Sequence, residues 1–168
     1  MVQAPFALIH TQRSGVQLEA LLRLTDTTLG RINPETFLLV CELQGKTAEV
    51  DRMIVCNALD HLCNWRAQGL DAVVISVNVA PVTLMHESFA PWLGLQLAQR
   101  GLPPRILKLE MTEHAVIALA PQVVAAISAL SALGVAVLMD DFGAGYSSLG
   151  MLAEQPIAGI KCDCLFVR

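Results

Sequence analysis

The sequence predicts an α/β fold built from parallel βαβ units. Segments rich in β-branched residues alternate with segments of helical periodicity, at a spacing of roughly 30 residues. No low-complexity tract or linker interrupts this alternation, so residues 1–168 are expected to form a single domain. Periodicity alone does not distinguish a doubly wound sheet from a barrel. The 168 residues are also fewer than the roughly 250 that a complete eight-strand barrel typically needs.

The amino-terminal half contains three expected strands and one expected helix. Residues 6–10 and 16–22 favour strands, the first of them weakly. Residues 47–68 carry apolar side chains at helical spacing, and Gly69 follows as a stop. Residues 71–79 are rich in valine and isoleucine, which is typical of a buried strand.

The carboxyl-terminal half continues the same alternation, with glycine and proline between the elements. The expected elements are a helix over 87–100, a strand over 105–111, a helix over 120–133, a strand over 135–139, a short helix over 146–152 and a strand over 157–162.

Composition excludes several classes of protein. The chain is 54% hydrophobic and 15% charged, which excludes a disordered tail and a collagen-like fibre. Its net charge of −4 gives it no general attraction to polyanions, so neither DNA nor RNA is an expected partner. Any phosphate ligand must therefore be held by a local site.

The sequence also bears on the compartment. The first ten residues lack the features of a signal peptide. The longest apolar stretch, 115–137, is interrupted by a proline and several polar residues, so no membrane span is expected. Five cysteines without a CxxC pair are typical of reduced thiols. We expect a cytoplasmic protein with no membrane partner.

Polar residues lie at the carboxyl end of nearly every expected strand, and these ends meet at one edge in a parallel fold. They are Glu19, Arg23, Asn78, Glu110, Glu113, Asp140, Asp141, Lys161 and Asp163. Carboxylate and amide oxygens suit Mg²⁺ or Mn²⁺, and crowded anions need a cation between them. Any single carboxylate is explained equally well as a helix cap or a surface charge. Their repetition at successive strands favours a site for phosphoester hydrolysis by a metal-activated water.

Five motifs, in order, resemble the EAL domain of cyclic di-GMP phosphodiesterases. They are Glu-Ala-Leu-Leu-Arg at 19–23, Ser-Val-Asn-Val-Ala at 76–80, Leu-Glu-Met-Thr-Glu at 109–113, Asp-Asp-Phe-Gly-Ala-Gly-Tyr-Ser-Ser-Leu at 140–149 and Ile-Lys-Cys-Asp at 160–163. The resemblance covers essentially the whole chain. It implies an incomplete TIM-type (β/α) barrel of about six parallel strands with flanking helices, and hydrolysis of cyclic di-GMP to linear pGpG.

The resemblance also implies a role for each matching residue. As metal ligands it implies Glu19, Asn78, Glu110 and Asp140, with Asp141 at a second metal, the metals being Mg²⁺ or Mn²⁺. As residues of the catalytic machinery it implies Lys161, beside the attacking water, and Glu113, which fixes the loop after Asp141. As substrate-binding residues it implies Arg23, at a phosphate, and Leu21.

The chain departs from the family pattern at both ends. An Ala-Glu-Gly-Val-Glu motif, whose first glutamate serves as ligand and general base, does not occur in the 168 residues, nor does the final Gln-Gly-Tyr motif. The amino-terminal Gln-Pro-Ile motif has no clean counterpart, and Ala158 replaces a usual aspartate. We therefore expect a domain lacking the last two barrel strands, inactive or very weak in hydrolysis and with its exposed edges covered in a homo-oligomer.

Three interpretations stay open at this stage. The first is an enzyme of the cyclic di-GMP phosphodiesterase lineage. The second is a regulatory module that binds cyclic di-GMP or a protein without hydrolysis. The third is a fragment with no retained activity.

Overall fold

The computed structural model describes the backbone at residues 2–3, 6–12, 15–112, 120–142 and 157–162. It describes the side chains at 16–112, 121–140 and 157–161. The strands are β1 Val2–Gln3, β2 Phe6–Gln12, β3 Gly15–Ala20, β4 Arg23–Asp26, β5 Gly30–Ile32, β6 Val73–Asn78, β7 Leu107–Thr112, β8 Ala136–Phe142 and β9 Gly159–Cys162. The helices are α1 Pro34–Leu43, α2 Thr47–Ala67, α3 Pro81–Leu84, α4 Phe89–Gln99 and α5 Ala120–Leu133, with a 3₁₀ turn at Pro104–Ile106.

The main sheet has the strand order β2-β3-β6-β7-β8-β9. The five strands from β3 to β9 in this sheet run parallel, which confirms the expected incomplete α/β barrel with flanking helices, with five parallel strands instead of the expected six or so. The sixth strand, β2, runs antiparallel to β3. Gln12 pairs with Gly15, and a connection of two residues is too short to hold the crossover that parallel pairing needs.

The two faces of the main sheet differ in chemistry because successive side chains of a strand point to opposite faces. On one face lie apolar residues such as Ile75, Val77, Leu107 and Leu109, all fully buried. They form one core with buried side chains of α2, α4 and α5. The alternate positions of the same strands carry the polar residues of the candidate site. The helices therefore cover the apolar face of the sheet, and the polar residues of the candidate site lie on the opposite face.

The expected boundaries agree with the structure for the buried elements. Helix α2 ends one residue before the predicted end, and α5 has the predicted bounds. The helix expected to begin at residue 87 begins at Phe89, and the strand expected from 105 begins at Leu107, because a 3₁₀ turn precedes it. The short helix expected over 146–152 lies outside the described residues.

The described elements that were not predicted are the short β1, the β4–β5 hairpin, helix α1, the short α3 and the 3₁₀ turn. The start of α1 has a sequence marker, since the side chain of Asn33 accepts a hydrogen bond from the Glu35 N–H and Pro34 occupies the first turn. The apolar side chains of α1 are largely exposed, with Leu39 56% and Leu43 79% accessible. Because apolar residues occur on its exposed as well as its buried side, the sequence lacks the periodic pattern that marks a buried helix face.

None of the helices in the described ranges combines the length and apolar character needed to span a membrane.

Candidate metal and substrate site

The strand register brings the expected site residues to one edge of the sheet. Glu19 pairs with Ser76 across β3 and β6, so it lies two residues from the level of Asn78. Asn78 pairs with Glu110, and Thr112 pairs with Asp140. Four side chains from four different strands are thus aligned at the carboxyl ends, where the sequence predicted them to converge.

Lys161 joins three carboxylates in what we call the carboxylate–lysine cluster: Glu19, Glu110, Asp140 and Lys161. The Lys161 Nζ lies 2.8 Å from Glu110 Oε2, 3.1 Å from Glu19 Oε2 and 3.3 Å from Asp140 Oδ2. Asn78 Nδ2 donates a hydrogen bond of 2.9 Å to Glu19 Oε1. Residues 142 positions apart in sequence therefore share one small polar centre.

Burial and charge act against each other in this cluster. Burial raises the pKa of Glu110 above its ordinary value, and the hydrogen bond from Lys161 offsets this only in part. For Lys161, burial opposes the charge, but the hydrogen bond to Glu110 and the nearby carboxylates outweigh it and raise the pKa. At neutral pH the ammonium is therefore charged and neutralises part of the cluster.

The oxygen atoms of the cluster fit a divalent cation. Glu19, Glu110 and Asp140 each offer an oxygen, and these oxygens lie within 4.8 Å of one another. Glu110 is fully buried, and its Oε1 has no hydrogen-bond partner among the described residues. A buried carboxylate oxygen left without a donor is costly unless a ligand completes it. An all-oxygen donor set suits Mg²⁺ or Mn²⁺ rather than Zn²⁺.

Four other site residues were expected. Arg23 and Leu21 follow Glu19 closely in the chain and are described in full, whereas Asp141 and Glu113 are not. Arg23 begins β4, and its Nη1 donates to the Leu22 carbonyl at 3.0 Å. Leu21, in the short link between β3 and β4, is half-buried. Asp141 belongs to β8, but its side chain lies outside the described part, as does the whole of Glu113.

Asp51 is a residue near the site that sequence reasoning missed. It lies in the first turns of α2, only 4% exposed. Its Oδ2 accepts hydrogen bonds from the Ala80 N–H at 3.0 Å and from the Thr83 hydroxyl at 2.6 Å. These bonds fix the chain just after Asn78. A carboxylate on the buried, otherwise apolar face of a helix is the sequence feature that could have identified it.

A groove opens beside Asn78. Its volume is about 630 Å³, and its walls are apolar residues of α1 and of the segment after β6, including Leu38, Leu39, Pro81 and Val82. Asp51, Asn78 and Thr112 also line this groove. A separate cavity of about 350 Å³ lies against the β4–β5 hairpin and is lined by Arg23 and Arg31. Sequence reasoning singled out only the first of these two arginines.

Comparison with known proteins gives consistent matches. The profile of the EAL domain matches residues 4–168. An uncharacterized protein of Mycobacterium tuberculosis strain H37Rv is 34% identical over 151 residues, which are 89% of this chain and 49% of that protein. The cyclic di-GMP phosphodiesterase NbdA of Pseudomonas aeruginosa is 32% identical over 151 residues, or 90% of this chain and 19% of NbdA.

Solved structures give the same result. The PaMucR phosphodiesterase in complex with c-di-GMP is similar with a TM-score of 0.85 and 31% identity, over 98% of this chain and 66% of that one. The chain thus spans about half the length of the M. tuberculosis protein and two thirds of the PaMucR chain.

Proposed function

The chain belongs to the EAL domain family, and from this premise we propose that it binds cyclic di-GMP at a divalent cation held by Glu19, Asn78, Glu110 and Asp140. We further propose that the cation is Mg²⁺ or Mn²⁺, and that the reaction of the site is hydrolysis of cyclic di-GMP to pGpG. The observation that carries the proposal is the convergence of three carboxylates from separate strands within 4.8 Å, with one buried oxygen lacking a donor.

The residues of the site have distinct tasks in this proposal. A divalent cation, when bound, supplies a more acidic water and neutralises the phosphate. Glu110 contributes the buried oxygen that gains most from a cation, while Glu19, held by Asn78, is kept at a fixed position. Asp140, which lies on β8, contributes the third carboxylate around the cation. Asp141 is assigned to a second cation. Glu113 is assigned to holding the loop after Asp141.

Lys161 keeps its proton in the proposed site. Its ammonium contacts all three carboxylates, and their charge favours the protonated form. It can hold the cluster together before a cation binds and donate an N–H to an attacking water or phosphate oxygen afterwards. Arg23 and Leu21, at the start of the hairpin, are assigned to substrate binding, with the guanidinium at a phosphate.

Turnover by the 168-residue polypeptide is proposed to be slow. The glutamate that the family uses as general base belongs to a motif that is not among these 168 residues. The absence of a general base typically costs about 10²–10⁴-fold in rate. We therefore expect binding of cyclic di-GMP with little conversion to pGpG by this polypeptide.

A second candidate function is a regulatory module that binds the nucleotide without hydrolysis. The observation that favours it is the position of Lys161, whose ammonium contacts all three carboxylates and neutralises part of their charge without any divalent cation. Such a site holds its shape in the absence of metal. The two candidates differ in whether cyclic di-GMP is hydrolysed, not in whether the nucleotide binds.

Calorimetry and a turnover assay test both candidates on the same samples. Cyclic di-GMP is titrated into the protein with Mg²⁺ and with EDTA, and pGpG is then measured by chromatography. Glu110→Gln removes a proposed ligand, and Glu87→Gln, at an exposed position, is the matched control. We expect binding that Mg²⁺ strengthens in the wild type and the control but not in Glu110→Gln. No heat of binding under either condition would contradict both candidates, and rapid Mg²⁺-dependent turnover would contradict slow hydrolysis and the regulatory module.

We also propose that the polypeptide forms a homo-oligomer through its sheet edges. In the described part of the chain, β2 and β9 end the main sheet, and each has a neighbour on one side only. Edges of this kind favour pairing with another chain. Light scattering at micromolar concentration is expected to give at least twice the mass of 18.1 kDa, and a uniform monomer would contradict the proposal.

A cytoplasmic location is proposed for the protein. Three described cysteines, Cys41, Cys56 and Cys63, are free thiols, as is usual in a reducing compartment.

A further inference from the structure

The β4–β5 hairpin presents two arginines on one face. Its register pairs Leu24 with Ile32 and Thr25 with Arg31. Residues directly opposite in an antiparallel pair share a face, and so do residues two apart in one strand. Arg31 therefore lies on the same face as Thr25 and Arg23, while Leu24 turns to the other side and is buried in the core. Arg23 and Arg31 are diagonal neighbours across the hairpin.

The cavity against this hairpin has the chemistry of an anion site. It measures about 350 Å³, and its six lining residues are Arg23, Leu24, Arg31, Ile32, Asn33 and Pro34. Two of them are guanidinium groups and none is acidic. In a chain with a net charge of −4, a cavity with two cations and no carboxylate is a local exception. Guanidinium groups bind phosphate through paired N–H donors.

The acidic side chain of the hairpin, Asp26, forms its hydrogen bonds within the turn. Asp26 Oδ1 accepts hydrogen bonds from the Thr28 N–H at 2.8 Å and the Leu29 N–H at 2.9 Å, which close the turn between β4 and β5. Arg23 lines the cavity and donates from Nη1 to the Leu22 carbonyl, and a guanidinium has further N–H groups that can donate to a ligand. The hairpin is thus built with its carboxylate in the turn and its cations at the cavity.

The cavity lies close to the carboxylate–lysine cluster along the chain. Glu19 of the cluster and Arg23 are four residues apart, so their Cα atoms are separated by at most roughly 14 Å. A cyclic dinucleotide carries two phosphates, so a ligand with one phosphate at the cluster has a second phosphate available for a cationic site near it in the chain. We propose that Arg31 is a phosphate-binding residue of this chain, which together with Arg23 holds the phosphate of the cyclic dinucleotide that is not at the cluster. This inference rests on the proposed binding of cyclic di-GMP.

The test is calorimetric titration of cyclic di-GMP into the wild type and three variants. Arg31→Gln removes both the positive charge and the paired N–H donors. Arg31→Lys keeps the positive charge on an ammonium but lacks the paired donors of a guanidinium. Arg105→Gln is the matched control, because Arg105 is also exposed but lies before β7, at the opposite end of the strand from Glu110. We expect Arg31→Gln to raise the Kd about tenfold, the factor typical of one charge-assisted hydrogen bond. Arg31→Lys is expected to give an intermediate value and Arg105→Gln the wild-type value.

The outcomes separate this inference from the proposed function. If the wild type binds and Arg31→Gln binds equally well, or if Arg105→Gln is weakened as much, Arg31 has no specific role and the inference is wrong. If the wild type itself does not bind cyclic di-GMP, the proposed function fails and this inference fails with it. The unfolding temperature of Arg31→Gln is expected to match that of the wild type because the side chain is exposed. With matched unfolding temperatures, a loss of binding is not a loss of folding.

Discussion

Two buried carboxylates, in neighbouring regions of the molecule, are stabilised in opposite ways. Asp51, 4% exposed, lies between α2 and the segment after β6, and neutral donors satisfy it: the Ala80 N–H and the Thr83 hydroxyl. Glu110, fully buried on β7, has a charged donor, Lys161, on one oxygen and no partner on the other among the described residues. Burial raises the pKa of both.

The difference between them separates structural support from a binding site. The two hydrogen bonds to Asp51 Oδ2 join α2 to the segment after β6, so their main contribution is to the stability of the fold. Glu110 is held by an ion pair that a cation can compete with, and its free oxygen is the atom a cation would complete. The region of Asp51 should therefore govern stability without metal, and the region of Glu110 should govern the response to metal.

Lys161→Met tests this comparison with the largest expected effect. Removing the ammonium leaves three carboxylates without their shared cation, and breaking a buried ion pair costs about 3 kcal/mol. We expect this loss in urea unfolding with EDTA, and partial recovery with Mg²⁺, because a divalent cation replaces the missing charge. Lys108→Met is the matched control, since Lys108 donates to the neutral Gln17 side chain. An equal loss in both variants, unaffected by Mg²⁺, would contradict the assignment of the cluster.

Asp51→Ala should cost somewhat less and should not respond to metal. The substitution leaves the Ala80 N–H and the Thr83 hydroxyl without their acceptor, at a cost of about 2 kcal/mol. Urea unfolding is expected to give the same loss with EDTA and with Mg²⁺. Asp60→Ala, which removes an exposed partner of Arg100, is expected to change stability little. Recovery of Asp51→Ala by Mg²⁺ would show that the two regions are not independent.

Glu110→Gln is expected to change stability by less than about 1 kcal/mol while weakening Mn²⁺ binding at least about tenfold. The amide removes a buried charge, and Lys161 keeps Glu19 and Asp140 as partners, so no cation is left unpaired. Unfolding and Mn²⁺ calorimetry on the same preparation measure the two effects. A large loss of stability with unchanged Mn²⁺ affinity would assign Glu110 to the same structural class as Asp51.

The strands, helices and site residues that could be predicted from the sequence are those with a local pattern. The buried strands and helices were identified because their apolar residues follow the periods of 2 and 3.6 that burial imposes. The ends of β6, β7 and β8 could be located because polar residues interrupt otherwise apolar runs. Asn78, Glu110 and Asp140 were found in this way, and the structure brings them together with Glu19 and Lys161.

The features that were missed depend on contacts that no local pattern encodes. Helix α1 has few buried residues to give it a period, and the β4–β5 hairpin is only a few residues long. The antiparallel direction of β2 appears in its register with β3, where Gln12 pairs with Gly15 and only two residues separate the strands. Asp51 acquires its partners from a segment about 30 positions later, Ala80 and Thr83, so its role appears only once the chain is folded.

The smallest predicted effect concerns pH and Asp51. Burial is the main cause of its raised pKa, so the folded protein holds this proton more tightly than the unfolded chain. The stability that protonated Asp51 contributes is complete below the unfolded pKa of 3.8 and is lost as pH rises through the higher folded pKa. Asp51→Asn keeps an acceptor oxygen but does not titrate, so its unfolding free energy should improve relative to the wild type from about pH 4 to about pH 7. Urea unfolding at both pH values measures this difference, with Glu87→Gln as the exposed control. A difference that does not change with pH would contradict a raised pKa at Asp51, and one that shrinks would mean that hydrogen bonds to the charged form outweigh burial.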